Sequence, residues 1–160
     1  SETPWFTNED GTLYFDAALY DGPAELEIPE TVDGQSVTCI SKNCFAENTY
    51  LTTVILPDTL TEIGDGAFAG CSALRGIFIP EGVKRIGVGA FRDCVRLEAI
   101  CIPGSVDSIG YSAFRGCLNL EYILYSGDYN DWYSLYSSHI ANGTQVYCDD
   151  GTFLHGVALP

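Results

Sequence analysis

The chain has 160 residues, 46% of them hydrophobic and 18% charged, so it is long enough for one domain with a substantial core and too apolar to be disordered. Its formal net charge of −15 disfavours nucleic acid and acidic lipid surfaces as partners, because they carry the same sign. No apolar run approaches the roughly 18 residues that a membrane helix needs, so membrane insertion is not expected.

The charge is unevenly distributed along the chain. All seven basic residues lie between Lys42 and Arg115, where eight acidic residues leave a net charge of −1. Residues 1–41 contain nine acids and residues 116–160 contain five, and neither segment contains Lys or Arg. The two ends therefore carry −14 of the −15 charges.

Residues 1–25 are predicted to form an N-terminal cap, with a β-hairpin near residues 4–20. The segment Asn8-Glu9-Asp10-Gly11 suits the turn of that hairpin. A calcium site is the alternative, both here and at Asp149-Asp150-Gly151 near the C-terminus. Neither segment supplies the alternating oxygen ligands and distal Glu of a calcium loop, so turns are favoured and no metal or cofactor is predicted.

Residues 26–119 are organised by a 23-residue repeat. Three units align without a gap over residues 51–73, 74–96 and 97–119, a degenerate unit precedes them at 26–48, and another begins at Leu120. The recurring columns are Leu51, Leu74 and Leu97; Pro57, Pro80 and Pro103; Ile63, Ile86 and Ile109; Gly64, Gly87 and Gly110; Phe68, Phe91 and Phe114; and Cys71, Cys94 and Cys117. A fixed period of this length is the signature of a solenoid.

Each repeat can be interpreted physically. Alternation within the strand points Val54 inward, and Pro57 ends the strand because it lacks a backbone donor. Gly64 is expected to adopt a backbone conformation closed to larger residues. A short turn or 3₁₀ segment then places Phe68 and Cys71 in the interior. Stacking at ~4.8 Å per rung would give four to five coils, with β-sheet on one face and short turns elsewhere.

The columns L-x-x-[VI]-x-[IL]-P-x-x-[VL]-x-x-I-G-x-x-A-F-x-x-C resemble the BspA-type leucine-rich-repeat family, named for a bacterial surface antigen. The resemblance covers roughly residues 24–148, and residues 120–160 look like a C-terminal strand and aromatic cap. It implies a single domain over residues 1–160, folded as an α/β-type, mainly β repeat solenoid with a right-handed coil. It also implies secreted or cell-surface bacterial proteins that bind host matrix or cell-surface partners.

The seven cysteines are interpreted mainly as structural residues. Cys71 and its two equivalents could form a metal ladder or stacked disulfides, but no C-x-x-C spacing is present and three equivalent thiols cannot all pair. A column of small buried side chains is favoured. Cys39 falls in a polar column and is expected to be exposed, and a disulfide from Cys39 or Cys148 remains open.

Catalysis is not predicted. His139 and His155 are the only imidazoles, both outside the repeats, and no G-x-S-x-G motif places a nucleophile near a base. Asn142-Gly143-Thr144 fits a glycosylation acceptor, but in a bacterial chain it is interpreted as a turn.

One outward column departs from the usual polar surface of a sheet. Ile55 lies between inward residues, and its column continues with Phe78, Cys101 and Leu124, an apolar stripe about 15 Å long. The next outward column is mostly small but ends at Tyr122, and Arg75 lies beside it. The stripe could be covered by a neighbouring segment, could form a groove for a partner or a homodimer, or could belong to the inside if the pleat is inverted.

Six aromatic residues lie close together near the C-terminus: Tyr122, Tyr125, Tyr129, Trp132, Tyr133 and Tyr136. They would either roof the last coil or form a platform for sugars, and the roof is favoured. Taken together, the sequence predicts a non-catalytic binding or adhesion module at a bacterial cell surface or in the extracellular space. A protein or glycan partner, host-derived ones included, is expected. The alternatives are a structural spacer and, less favoured, an enzyme.

Overall fold

The computed structural model describes residues 3–135 and 143–155. Most of its secondary structure is β-strand, with one 3₁₀ helix at Ala17–Leu19 and one α-helix, α1, at Tyr129–Leu135. The strands in chain order are β1 (Trp5–Thr7), β2 (Thr12–Phe15), β3 (Glu25–Glu27), β4 (Thr31–Val32), β5 (Gln35–Ser36), β6 (Cys39–Ile40), β7 (Thr53–Ile55), β8 (Glu62–Ile63), β9 (Gly76–Phe78), β10 (Arg85–Ile86), β11 (Ala99–Pro103), β12 (Ser108–Ile109), β13 (Tyr122–Ser126), β14 (Gln145–Cys148) and β15 (Phe153–His155). Among the described residues, no helix is both long and apolar enough to cross a membrane.

The first sheet contains one strand from each coil. Its order is β3, β7, β9, β11, β13 and β14, all parallel, with β15 antiparallel at the edge. The solenoid therefore has about six turns rather than four to five. The sequence count missed the last rung because no I-G-x-x-A-F motif follows Leu120, although Gln145 pairs with Tyr122 at the same 23-residue spacing.

A second sheet runs along another side of the solenoid. The two-residue strands β6, β8, β10 and β12 pair in parallel, in the segment where the sequence analysis expected only turns. These strands form because they recur at a constant spacing of 23 residues from β6 to β12, so backbone groups that face each other across one rung face each other across all of these rungs.

The interior is a continuous column of aromatic and aliphatic side chains. The rings of Phe45, Phe68, Phe91 and Phe114 stack with centroids 5.1, 5.3 and 5.8 Å apart, and their planes lie within 9° of parallel. Each of the four side chains is at most 2% exposed. The predicted stacking of equivalent residues is confirmed.

The repeated glycines have a different role from the one expected. The φ angles of Gly64, Gly87 and Gly110 are outside the left-handed region. Instead, a Cβ on Gly87 would lie 2.5 Å from the backbone nitrogen of Asp65 in the preceding coil. The expectation of a restricted backbone conformation is wrong, because close approach between adjacent coils is what excludes a side chain here.

Aromatic residues close the core at both ends. The predicted hairpin is present: β1 pairs antiparallel with β2, and Trp5 and Phe15 pack on Phe45 at ring distances of 6.5 and 4.8 Å. At the other end Trp132 of α1 is fully buried, 5.3 Å from Tyr125. Two residues of the Tyr-rich segment thus roof the last coil, whereas Tyr122, Tyr129 and Tyr133 remain partly or largely exposed and Tyr136 lies outside the described residues.

Candidate binding surface

The outer face of the first sheet presents the apolar stripe expected from the alternation. Ile55, Phe78 and Leu124 are 55%, 68% and 45% exposed, and Cys101 between them is half-buried. Ile77, the chain neighbour of Phe78, is only 6% exposed. The pleat is therefore oriented as expected, and within the described residues no segment covers the stripe.

Strand register extends this column at both ends. Leu124 pairs with Tyr147 of β14, which is 41% exposed, and Ile55 pairs with Glu27 of β3. We call the whole series Glu27, Ile55, Phe78, Cys101, Leu124 and Tyr147 the outer column. Sequence reasoning missed Tyr147 and Glu27. Continuing the 23-residue count beyond Leu124 would have found Tyr147, whereas Glu27 was hidden by the five extra residues in the first unit.

A groove runs beside the outer column because the next column is small. Thr53, Gly76 and Ala99 pair across adjacent strands and leave a depression of about 480 Å³ between themselves and Ile55, Phe78 and Cys101. Leu124 and Tyr122 lie on the next rung, outside this groove. Arg75 is exposed but is not one of the groove-lining residues.

Acidic groups surround the groove. Asp58 lines it, Glu27 ends the outer column, and Glu25, Glu98 and Glu121 are exposed at the starts of neighbouring strands. Arg75 is the basic residue among these strand starts. An apolar groove with a mainly negative rim favours ligands that combine apolar and basic groups.

The cysteines do not form a reactive site. All seven thiols are free, and Cys71, Cys94 and Cys117 donate to carbonyl oxygens one coil earlier at 3.0–3.1 Å. Burial raises the pKa of Cys71 to about 12, which suppresses the reactive thiolate. Cys39 is half-buried rather than exposed, and burial raises its pKa to about 11. Cys148, the other residue considered for a disulfide, is 8% exposed.

The carboxylates of the two acidic turns accept hydrogen bonds from backbone N–H groups of the protein. Asp10 accepts from the Thr12 backbone N–H at 2.9 Å within the turn between β1 and β2. Asp150 accepts from the backbone N–H groups of Thr152 and Tyr129 at 2.9 and 3.1 Å. No group of three metal-ligating side chains occurs in the described part of the chain.

The structure describes little of the remaining sequence candidates. His139 and Asn142 lie outside the described residues, and the backbone of His155 pairs with Gln145 at the edge of the first sheet.

Several solved bacterial proteins share this fold. A leucine-rich repeat protein from Bacteroides capillosus superposes with a TM-score of 0.67 at 28% identity, over 79% of this chain and 98% of that one. A leucine rich repeat protein from T. pallidum gives 0.59 at 27% identity, over 78% and 71%. A leucine rich cell surface protein from Faecalibacterium prausnitzii gives 0.55 at 30% identity over 82% of this chain, which spans only 40% of that protein.

Comparison with curated proteins gives no match. The sequence itself matches the BspA type leucine rich repeat region in six copies over residues 24–139. Proteins of this kind are generally non-catalytic, and the family suggests a repeat-based binding module. The matched region contains five of the six parallel strands of the first sheet, from β3 to β13. The chain therefore belongs to the BspA type leucine-rich-repeat family.

Proposed function

We propose that the chain is a non-catalytic binding module of a bacterial cell-surface or secreted protein, and that the outer column with its groove binds a protein partner. The observation that carries the proposal is the exposure of the outer column, in which Phe78 is 68% exposed and which no segment of the described residues covers. Contiguous exposed apolar surface is unfavourable in water and marks interaction sites on folded proteins.

The shape and charge of the groove indicate which side chains a partner would insert. Gly76 and Ala99 leave room for an inserted side chain, and the neighbouring Phe78 supplies an aromatic wall. The acidic rim adds a preference for Lys or Arg beside that side chain. The sequence left a protein or a glycan open, and we favour a protein segment because Ile, Phe and Leu side chains offer few hydrogen bonds to sugar hydroxyls.

The proposed location is supported by the family and by one relative. The similar protein from Faecalibacterium prausnitzii is described as a cell surface protein. A module exposed at a bacterial surface would meet host-derived matrix or cell-surface proteins, which makes these the first partners to test.

A structural spacer is the second candidate function. The chain spans only 40% of the Faecalibacterium prausnitzii protein, so the same fold occurs there as part of a longer chain. This arrangement favours a spacer. A spacer would need no ligand on the outer column.

The decisive experiment replaces Phe78. Phe78→Glu, the matched control Leu118→Glu and the wild type would be tested against immobilised extracellular-matrix proteins, with circular dichroism to check folding. Leu118 is 76% exposed and lies outside the groove, so it reports the effect of one added charge. We expect Phe78→Glu to lose binding while folded and Leu118→Glu to keep it. Undiminished binding by Phe78→Glu, or unfolding of that variant, would reject the proposal.

Self-association through the outer column is measured with the same proteins. If the partner were a second copy, light scattering would show a dimer in the wild type and in Leu118→Glu and a monomer in Phe78→Glu. That result would mean that the outer column binds a second copy of the chain and not a different protein.

A further inference from the structure

A second groove lies on the turns that follow the second sheet, away from the outer column. It has a volume of about 470 Å³ and is lined by corresponding turn positions of four successive coils. Its side chains include Lys42, Arg92, Arg115 and Tyr111. We call it the basic groove. Neither the repeat alignment nor the proposed function assigns it a role.

The charge of this groove is opposite to that of the whole protein. It collects three of the seven basic residues of a chain whose net charge is −15. Asp65, the acidic residue in its lining, accepts from Arg85 at 2.7 Å, and this hydrogen bond holds the pKa of Asp65 below its usual value. Arg85 also pairs with Glu62 at 2.7 Å, so it offsets the charge of Asp65 only in part. The basic groove is nevertheless net positive, because its lining carries three basic side chains against one carboxylate.

The two arginines are placed by the repeat itself. Arg92 and Arg115 occupy the same position in successive coils, and the Asp93 N–H donates to the Arg115 carbonyl oxygen at 2.7 Å. Their backbones are therefore one rung apart, about 4.8 Å. The Arg92 guanidinium has only a 3.6 Å ion pair with Asp93, and both side chains are more than half exposed, so it is available to a ligand at little cost.

The backbone of the groove is occupied by bonds between coils. The Gly66 and Gly89 N–H groups donate to the carbonyl oxygens of Val88 and Tyr111 at 2.9 and 3.0 Å. A peptide strand would find no free sheet edge at these positions, so a ligand must be recognised by side chains. Guanidinium groups suit a carboxylate, the amide of Asn43 suits hydroxyl groups, and the 66% exposed ring of Tyr111 suits the apolar face of a sugar.

We infer that the basic groove binds an acidic sugar, a pyranose that carries a single carboxylate. Arg92 and Arg115 hold the carboxylate and Tyr111 packs on the ring. A polyanion does not fit, because the strongly acidic ends of the chain would repel its remaining charges. The site is independent of the proposed function on the first sheet.

An amide NMR titration with methyl glucuronide tests this inference, with the uncharged methyl ester of the same sugar as the matched ligand. We expect shifts confined to the basic groove, and roughly tenfold weaker binding of the ester. Arg115→Gln and Tyr111→Ala should each weaken binding by roughly tenfold, whereas Arg96→Gln, an exposed arginine outside the groove, should bind like the wild type.

Three results would overturn the assignment. The ester could bind as well as the acid, the shifts could fall outside the basic groove, or N-acetylglutamate amide could bind as tightly as the sugar, which would reduce the site to a carboxylate binder. Phe78→Glu should bind methyl glucuronide unchanged, so failure of the proposed function and failure of this inference are told apart.

Discussion

The outer column and the neighbouring inner column of the first sheet are both mainly apolar but lie in opposite surroundings. The inner column consists of the buried residues Leu26, Val54, Ile77, Ile100, Ile123 and Val146. Ile77 and Phe78 are adjacent in the chain and both apolar, yet Ile77 is 6% exposed and Phe78 is 68% exposed. The pleat of the strand, and not hydrophobicity, separates them. Register therefore decides whether an apolar residue of this solenoid packs in the core or faces solvent, on the side where we propose the binding surface.

The largest expected difference in the free energy of unfolding is between replacing Phe91 and replacing Phe78. Phe91→Ala should lower the free energy of unfolding by ~3–5 kcal/mol, because the ring is fully buried between Phe68 and Phe114. Phe78→Ala should change it by less than about 0.5 kcal/mol. Urea unfolding followed by circular dichroism measures both, and comparable losses would remove the distinction between the columns.

Adding a methyl group at Gly87 and at Gly76 should have different effects on stability. Gly87→Ala should cost ~1–3 kcal/mol, because its Cβ would meet the preceding coil at 2.5 Å. Gly76→Ala on the outer face meets only the Ala99 carbonyl oxygen at 3.5 Å and should be neutral or stabilising by up to about 1 kcal/mol. Thermal unfolding of the two variants checks this, and a neutral Gly87→Ala would show that the coils can separate.

The last comparison concerns a buried thiol, whose effect on stability appears only at alkaline pH. Because burial raises the folded-state pKa of Cys71 from about 9 to about 12, its contribution to stability is complete below about pH 9 and is lost as the pH rises toward about 12. Unfolding free energies measured across this range should fall more steeply for the wild type than for Cys71→Ala. Parallel pH profiles would mean that the Cys71 thiol ionises without disturbing the core.

The sequence predicted the parts of the molecule that depend on the 23-residue period. It placed Phe68 and its equivalents inside and Phe78 outside, because repeated spacing and strand alternation fix both. It missed Tyr147, which follows Leu124 at the same 23-residue spacing, because no I-G-x-x-A-F motif marks the coil before β14. It also misjudged Gly87, whose role depends on the distance between coils and not on its own conformation.

The basic groove was beyond sequence reasoning for a related reason. Lys42 corresponds to Tyr111 three coils later, and Arg92 and Arg115 belong to a different column. The groove is lined by three columns of the repeat, but the residue type changes from coil to coil within each column, so the alignment does not show that basic side chains gather on one surface. Only the stacked backbone brings these side chains to one surface.

The most direct test of the account is a pair of adjacent substitutions, Ile77→Glu and Phe78→Glu, compared by urea unfolding. A carboxylate forced into the core in place of Ile77 has no partner, so we predict loss of the cooperative transition in that variant. Phe78→Glu should unfold at the wild-type midpoint. Equal destabilisation by the two substitutions would contradict the separation of inner and outer columns.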